Sequence, residues 1–127
     1  MDQSVELVRN LNVVAVVDDD PAVRNSLKFS LETEGLAVRA FAAAEELIES
    51  IESEPICCFV IEYRLQDMNG LDLADRLRQS GVRAPIIMLA SHPNNVLRQQ
   101  AAQRSIPIIE KPLIGNALTD ALRQLLV

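Results

Sequence analysis

Short apolar runs alternate along the chain with longer segments in which apolar residues recur every three or four positions. The runs predict five strands, at residues 11–17, 36–41, 56–61, 85–90 and 106–109. The longer segments predict five helices, at residues 21–34, 42–53, 71–80, 94–104 and 114–125. Pro21 and Gly35 suit the first turn and the end of the first helix.

Strict alternation of strands and helices predicts an α/β fold with a parallel sheet, right-handed crossovers and helices on both faces. We expect a five-stranded, doubly wound, flavodoxin-like (βα)5 arrangement. The chain has 127 residues, which fits one domain over 1–127, with residues 1–11 as an N-terminal extension. In such sheets the functional crevice lies beyond the carboxyl ends of the strands.

The composition agrees with this fold and disfavours several classes of function. Aromatic residues make up 3% and hydrophobic residues 49%, so the core must be aliphatic, as in buried parallel sheets. The net charge of −6 disfavours direct nucleic-acid binding. No stretch is apolar and long enough to span a membrane, and no signal pattern begins the chain, so we expect a cytoplasmic protein. Cys57 and Cys58 are adjacent, which disfavours a disulfide between them.

Charged residues follow the predicted strands where those strands end. Asp18 and Asp19 follow the first strand, Glu62 the third, and Lys111 the fifth. Carboxylates that share a small site need a cation, and Lys111 and Mg²⁺ are the candidates. Taken alone, the acidic run after the first strand is more typical of a helix N-cap, with Asp20 in that role.

The joint pattern resembles the receiver domains of bacterial two-component response regulators, from about Asn12 onward. The residues that carry the resemblance are 16–20, Arg24, Leu27, 67–70 and 110–112. The resemblance implies a sheet of five parallel strands with five helices. In this family an aspartate after the third strand accepts a phosphoryl group from a histidine kinase, with help from Mg²⁺.

The same resemblance assigns roles to individual residues. Glu62 occupies the phosphoacceptor position, and Lys111 matches the lysine that contacts the acceptor or its phosphate. Asp18 and Asp19 match the acid pair that holds the metal. Glu62 and the backbone carbonyl of Arg64 would complete the metal ligands. The sequence leaves open whether Mg²⁺ binds weakly or not at all.

Several departures from the family fall on its conformational switch. In the family this switch includes a Ser or Thr hydroxyl at the end of the fourth strand and an aromatic residue that rotates with it. The acceptor aspartate is replaced by Glu62, and the switch hydroxyl falls on Ala90, so that hydroxyl is lost. The usual aromatic falls near Ile108, and the usual proline falls on Gln66. A one-residue slip would instead place the hydroxyl of Ser91 at the switch.

The extra methylene of Glu62 displaces its carboxylate by about 1.5 Å relative to aspartate. Misplacement on this scale costs about a hundredfold in rate, so Glu62 should be a poor acceptor. Glutamate carries less charge than a phosphoryl group. The sequence therefore does not decide between an active-like and an inactive locked state.

Our leading hypothesis is a pseudo-receiver that signals through protein contacts and has no enzymatic activity. Its partner would be a histidine kinase, a target protein or a second copy. The resemblance implies an interface on the face of the fourth helix, fifth strand and fifth helix, which receiver domains commonly use. We expect this face to include five residues: Val96, Leu97, Gln100, Leu118 and Arg123.

Two alternatives remain at this stage. One is a working, Mg²⁺-dependent phosphoacceptor, since Asp18, Asp19 and Lys111 are retained. The other is an unrelated small α/β enzyme or nucleotide-binding fold, which the lack of a glycine-rich phosphate loop after the first strand disfavours. The sequence does not decide whether an output domain follows, nor does it identify the kinase or the target.

Overall fold

The computed structural model describes residues 13–51, 55–113 and 115–126, and within these ranges strands and helices alternate as predicted. The proposed N-terminal extension, residues 1–11, lies outside the described residues. The strands are β1 (Val13–Val17), β2 (Ala37–Phe41), β3 (Cys58–Glu62), β4 (Ile86–Ala90) and β5 (Ile108–Glu110). The helices are α1 (Pro21–Thr33), α2 (Ala44–Ser50), α3 (Gly70–Gln79), α4 (Asn95–Gln103) and α5 (Ala117–Leu125).

The strands form one sheet in the order β2-β1-β3-β4-β5, and every pairing is parallel. This order confirms the predicted flavodoxin-like α/β fold. The register sets Glu62 beside Leu89 and Ala90 beside Glu110. The carboxyl ends of β3, β4 and β5 therefore lie side by side, as the sequence predicted.

Each face of the sheet has its own aliphatic core, because successive strand residues point to opposite faces. On one face Ala15, Phe59 and Met88 belong to the core that includes residues of α2, α3 and α4. On the other face the core contains Val16, Val60 and residues of α1 and α5. Both faces are covered, which explains why the central strands are apolar without interruption.

Several element boundaries differ from the prediction by one to three residues, and two of these differences have a clear backbone cause. The fifth strand begins at Ile108 because Ser105 has a positive φ of 57° and Ile106 packs into the core before strand pairing starts. Within the described residues the last helix begins at Ala117, after Gly115 at a φ of 72°. Both residues adopt the left-handed conformation, which interrupts regular elements.

Part of the predicted interface was wrong. Leu97 is buried in the core beneath α4, and Leu118 is buried in the core on the opposite face. Their spacing reflects the apolar side of each helix, which packs against the sheet. Val96, Gln100 and Arg123 are exposed, so only these three of the five assigned residues remain available to a partner.

The cysteine prediction is confirmed, since Cys57 and Cys58 are both free thiols. Burial raises the pKa of Cys58 to about 12, so this thiol stays protonated at neutral pH. Among the described residues, no helix has the length and apolarity needed to cross a membrane.

Candidate functional site

Three charged side chains meet at the carboxyl end of the sheet. Asp18 directly follows β1, and Glu62 is the last residue of β3, which lies next to β1. Lys111 directly follows β5, and its backbone N–H donates to the carbonyl of Ala90 at 2.8 Å. The parallel topology thus brings together residues that are up to 93 positions apart in the sequence.

The ammonium group of Lys111 joins the two carboxylates. Its Nζ donates to Oδ2 of Asp18 at 2.9 Å and to Oε1 of Glu62 at 2.6 Å. Asp18 is 1% exposed and Glu62 is 8% exposed, so their negative charges are almost fully removed from water. Buried charges of the same sign are tolerated only when an opposite charge and hydrogen bonds compensate them. Lys111 supplies that charge.

The two carboxylates also shift the pKa of Lys111. Burial by itself lowers the pKa of the ammonium group. Hydrogen bonds to Glu62 and Asp18, together with their negative charges, outweigh this effect and hold the pKa of Lys111 above its ordinary value. The lysine is therefore protonated throughout the physiological range.

The remaining oxygen of each buried carboxylate accepts a hydrogen bond from the backbone. Oδ1 of Asp18 accepts from the N–H of Asp20 at 2.9 Å, and Oε2 of Glu62 accepts from the N–H of Arg64 at 3.2 Å. All four oxygens of Asp18 and Glu62 consequently have a donor. The hydrogen bonds of the two buried acids are thus satisfied within the chain itself, while the ammonium of Lys111 balances one of their two negative charges.

The three aspartates that follow β1 have different roles. Asp20 is the N-cap of α1, and its side chain accepts from the N–H of Ala22 at 2.9 Å, with Pro21 at the first helical position. The capping interpretation is therefore right for Asp20, while Asp18 belongs to the site. Asp19 is half-buried and has no hydrogen-bond or ion-pair partner within the described part of the chain.

Sequence reasoning missed a contact that holds the loop after β1. Nη1 of Arg24 donates to the backbone carbonyl of Asp18 at 2.8 Å. Arg24 was noted only as part of the family resemblance, and an arginine one turn into a helix gives no local signal of such a bond. The contact fixes the backbone of Asp18, whose side chain binds Lys111.

Gly70 belongs to the 67–70 segment that carries the family resemblance, and the structure gives it a steric role. Its N–H donates to the carbonyl of Tyr63 at 2.7 Å, closing the loop between β3 and α3. A Cβ atom at this position would lie 2.5 Å from Sδ of Met88 and 2.8 Å from the carbonyl oxygen of Glu62. Only glycine permits this approach, so Gly70 helps to position the end of β3.

The predicted switch positions are occupied as follows. Ala90 ends β4 and is 2% exposed, so a methyl group stands where the family has a hydroxyl. Ser91, the alternative, is exposed and lines a shallow surface pocket with Tyr63 and Asn94. Ile108 begins β5 and is half-buried.

Two of the predicted metal ligands, Asp18 and Glu62, have a cation of the chain itself between them. Among the residues that the structure describes, no three His, Cys, Asp or Glu side chains are grouped to hold a metal ion. The carboxylates of Asp18 and Glu62 instead share the ammonium of Lys111. The roles assigned to Asp18, Asp19, Glu62 and the carbonyl of Arg64 as magnesium ligands stay predictions.

The sequence matches the pattern of the response regulator receiver domain over residues 14–123. This chain belongs to the response regulator receiver domain family. The family resemblance inferred from the sequence is thereby confirmed, and with it a place in two-component signalling. Receiver domains of this family work with histidine kinases and output domains.

Among curated proteins, the receiver domain is similar to transcriptional regulatory protein TdiR of Thauera aromatica, with 33% identity over 113 residues. That match covers 88% of this chain and 50% of TdiR. The C4-dicarboxylate transport transcriptional regulatory protein DctR of Rhodobacter capsulatus is 31% identical over 110 residues, covering 84% of this chain and 56% of DctR. The chain thus spans about half the length of these relatives.

Solved structures show the same fold. The CheY-like receiver domain protein of Methanospirillum hungatei JF-1 has a TM-score of 0.84 and 26% identity, over 91% of this chain and 93% of that one. The crystal structure of FixJ-N has a TM-score of 0.81 and 27% identity, over 90% of this chain and 92% of that one.

Proposed function

We propose that this receiver domain is a pseudo-receiver, which acts by protein–protein contact and independently of phosphorylation. The observation that carries the proposal is the ion pair between Glu62, at the acceptor position, and Lys111, with 2.6 Å between Oε1 and Nζ. A glutamate fixed in this way differs from an acceptor aspartate in two respects. Its side chain is longer, and its carboxylate oxygens are already engaged in hydrogen bonds.

Phosphoryl transfer needs a nucleophilic oxygen that is free and in line with the leaving group. Oε1 of Glu62 is bonded to Lys111, and Oε2 accepts from the N–H of Arg64. Attack by either oxygen would require one of these bonds to break. The longer side chain adds a further displacement of about 1.5 Å relative to aspartate. Both effects oppose phosphorylation of Glu62.

Transmission of a phosphorylation signal lacks support as well. A hydroxyl at the end of β4 would be needed to bind a phosphoryl oxygen, and Ala90 has none. A partner would instead recognise the single conformation that Lys111 and Glu62 stabilise. We propose the exposed part of the α4–β5–α5 face, at Val96, Gln100 and Arg123, as the contact surface for a kinase, a target protein or a second copy.

The proposal is tested by amide NMR spectra recorded with and without Mg²⁺ and a small acyl-phosphate donor. The native spectrum should be unchanged by the donor, while Glu62→Asp, which restores the family's acceptor, should shift resonances around the site. Glu110→Asp is the matched control, since Glu110 is an exposed glutamate at the same edge of the sheet. Donor-dependent shifts in the native chain that spread to α4 and β5 would refute the proposal.

A working phosphoacceptor is the second candidate, and the retention of Asp18, Asp19 and Lys111 supports it. This alternative requires the ion pair of Glu62 and Lys111 to open when a donor binds. It predicts donor-dependent spectral changes in the native chain that disappear in Glu62→Gln. The pseudo-receiver proposal predicts no donor-dependent changes in either protein.

A further inference from the structure

We propose that the ammonium group of Lys111 is the resident cation of the acidic site, and that it excludes divalent metal ions from the site while it is in place. This inference concerns the cation and does not depend on which partner the domain contacts. It follows from the bonds made by the two buried carboxylates.

Lys111 occupies the position that a metal shared by the two acids would have to take. Its Nζ lies 2.9 Å from Oδ2 of Asp18 and 2.6 Å from Oε1 of Glu62. The other oxygens of these acids are held by the N–H groups of Asp20 and Arg64. A metal that bridged both acids would have to displace the ammonium or share its oxygens.

Sharing the oxygens weakens the attraction for a metal. A divalent ion bound to the same carboxylates would lie within a few ångströms of the ammonium charge, and the repulsion between the two cations offsets part of the attraction by Asp18 and Glu62. Displacing the ammonium is also unfavourable, since the Lys111 side chain is 16% exposed and would lose both ion pairs.

Asp19 alone does not compensate for this competition. It is half-buried, and one carboxylate with water ligands is a weak site for a hard divalent cation. The length of Glu62 is central, because its extra methylene carries Oε1 towards Nζ. A shorter acid at this position should weaken the ion pair and open the site to metal.

The test compares the native chain with Lys111→Met in two measurements. The first is Mn²⁺ binding, measured by electron paramagnetic resonance, and the second is the shift in melting temperature caused by Mg²⁺. The native chain should bind no Mn²⁺ at low millimolar concentration, and Mg²⁺ should leave its melting temperature unchanged. Lys111→Met should bind Mn²⁺ in this same concentration range, because a cation beside the carboxylates has been removed. It should also be stabilised by Mg²⁺.

Lys28→Met is the matched control, since Lys28 is the other lysine of the chain and is exposed on α1. It should behave like the native protein, and Asp18→Asn added to Lys111→Met should abolish the new binding. Site-specific Mn²⁺ binding by the native chain, or no gain of binding in folded Lys111→Met, would overturn the inference.

A second measurement uses the unaltered protein, so it holds even if Lys111→Met fails to fold. An amine-acylating reagent followed by peptide mapping reports how accessible each lysine is. Lys28 should be modified readily and Lys111 slowly, and Mg²⁺ should change neither rate. If Mg²⁺ makes Lys111 reactive, a metal displaces the ammonium and the inference is wrong.

The two proposals can fail separately. Glu62→Asp should gain both Mn²⁺ binding and phosphorylation if both hold. Mn²⁺ binding by the native chain without phosphorylation would overturn the resident-cation inference and leave the pseudo-receiver proposal standing. Phosphorylation of native Glu62 would overturn the pseudo-receiver proposal, whatever the metal result.

Discussion

Asp67, in the loop after β3, caps the N-terminus of α2 through the backbone of Ala44. Oδ1 of Asp67 accepts from the N–H of Ala44 at 3.2 Å, and Oδ2 accepts from the N–H of Glu45 at 3.0 Å. Ala43, the N-cap residue of α2, has no side-chain oxygen to do this. The loop that follows Glu62 is therefore tied to a helix more than twenty positions earlier in the sequence.

Replacing Asp67 by alanine should destabilise the fold, because two N–H groups at the start of α2 lose their acceptor. Loss of an N-cap typically costs about 1 kcal/mol in the free energy of unfolding. Urea unfolding measures this quantity. Gln66→Ala is the control, since Gln66 is the exposed neighbour in the same loop. Equal stability of the native and Asp67→Ala proteins would contradict the capping role.

The contribution of Asp67 should depend on pH. Slight burial tends to raise the pKa of Asp67, but hydrogen bonds from the N–H groups of Glu45 and Ala44 outweigh it and lower the pKa. A carboxyl whose pKa is lower in the folded state stabilises the fold above its unfolded pKa. This stabilisation is lost as the pH falls through the folded pKa. The stability difference between native and Asp67→Ala should therefore be full at neutral pH and shrink in acid. If the stability difference between the two proteins does not change with pH, the negative charge of Asp67 does not contribute to the cap.

Gly70→Ala should destabilise the domain, because the added methyl group meets Met88 and the backbone of Glu62 at less than van der Waals distance. Overpacking of this kind costs about 1–3 kcal/mol in the free energy of unfolding. Urea unfolding gives the magnitude, and amide NMR shows whether Glu62 and Tyr63 move. A variant within about 0.5 kcal/mol of the native chain would behave as an ordinary surface substitution and contradict the close approach.

Lys111 should stabilise the domain up to alkaline pH. Its pKa is raised in the folded state, so its ion pairs contribute fully below the unfolded lysine pKa and are lost as the pH rises through the folded pKa. At neutral pH, Lys111→Met should lose about 3 kcal/mol, because it leaves two buried carboxylates without their cation. The free energies of unfolding of the native and Lys111→Met proteins should differ at neutral pH and approach each other as the pH becomes alkaline. Lys28→Met should follow the native curve, and a constant gap across this range would contradict the assignment.

The sequence was sufficient for the fold and for the location of the site. Uninterrupted apolar strands such as 58–61 predicted burial on both faces, and parallel topology then placed Asp18, Glu62 and Lys111 at one edge. These inferences rest on periodicity and strand order, which are properties of the chain as a whole.

Contacts between segments that are distant along the chain could not be predicted from the sequence. Asp67 carries part of the family resemblance, but nothing in the neighbouring sequence indicates that it caps α2. Gly70 needs its space because of Met88, a residue on another strand. Leu97 and Leu118 were assigned to an interface because they lie on the helices of the face that receiver domains commonly use, but the apolar side of such a helix usually packs inward. Only three-dimensional packing distinguishes these cases.

The measurement that tests the central claim most directly is the intact mass of the protein after incubation with Mg²⁺ and a small acyl-phosphate donor. If Glu62 silences an otherwise assembled site, Glu62→Asp should gain the mass of one phosphoryl group and the native chain should gain none. If the native chain gains a phosphoryl group that Glu62→Gln does not, Glu62 is a true acceptor and the pseudo-receiver account is wrong.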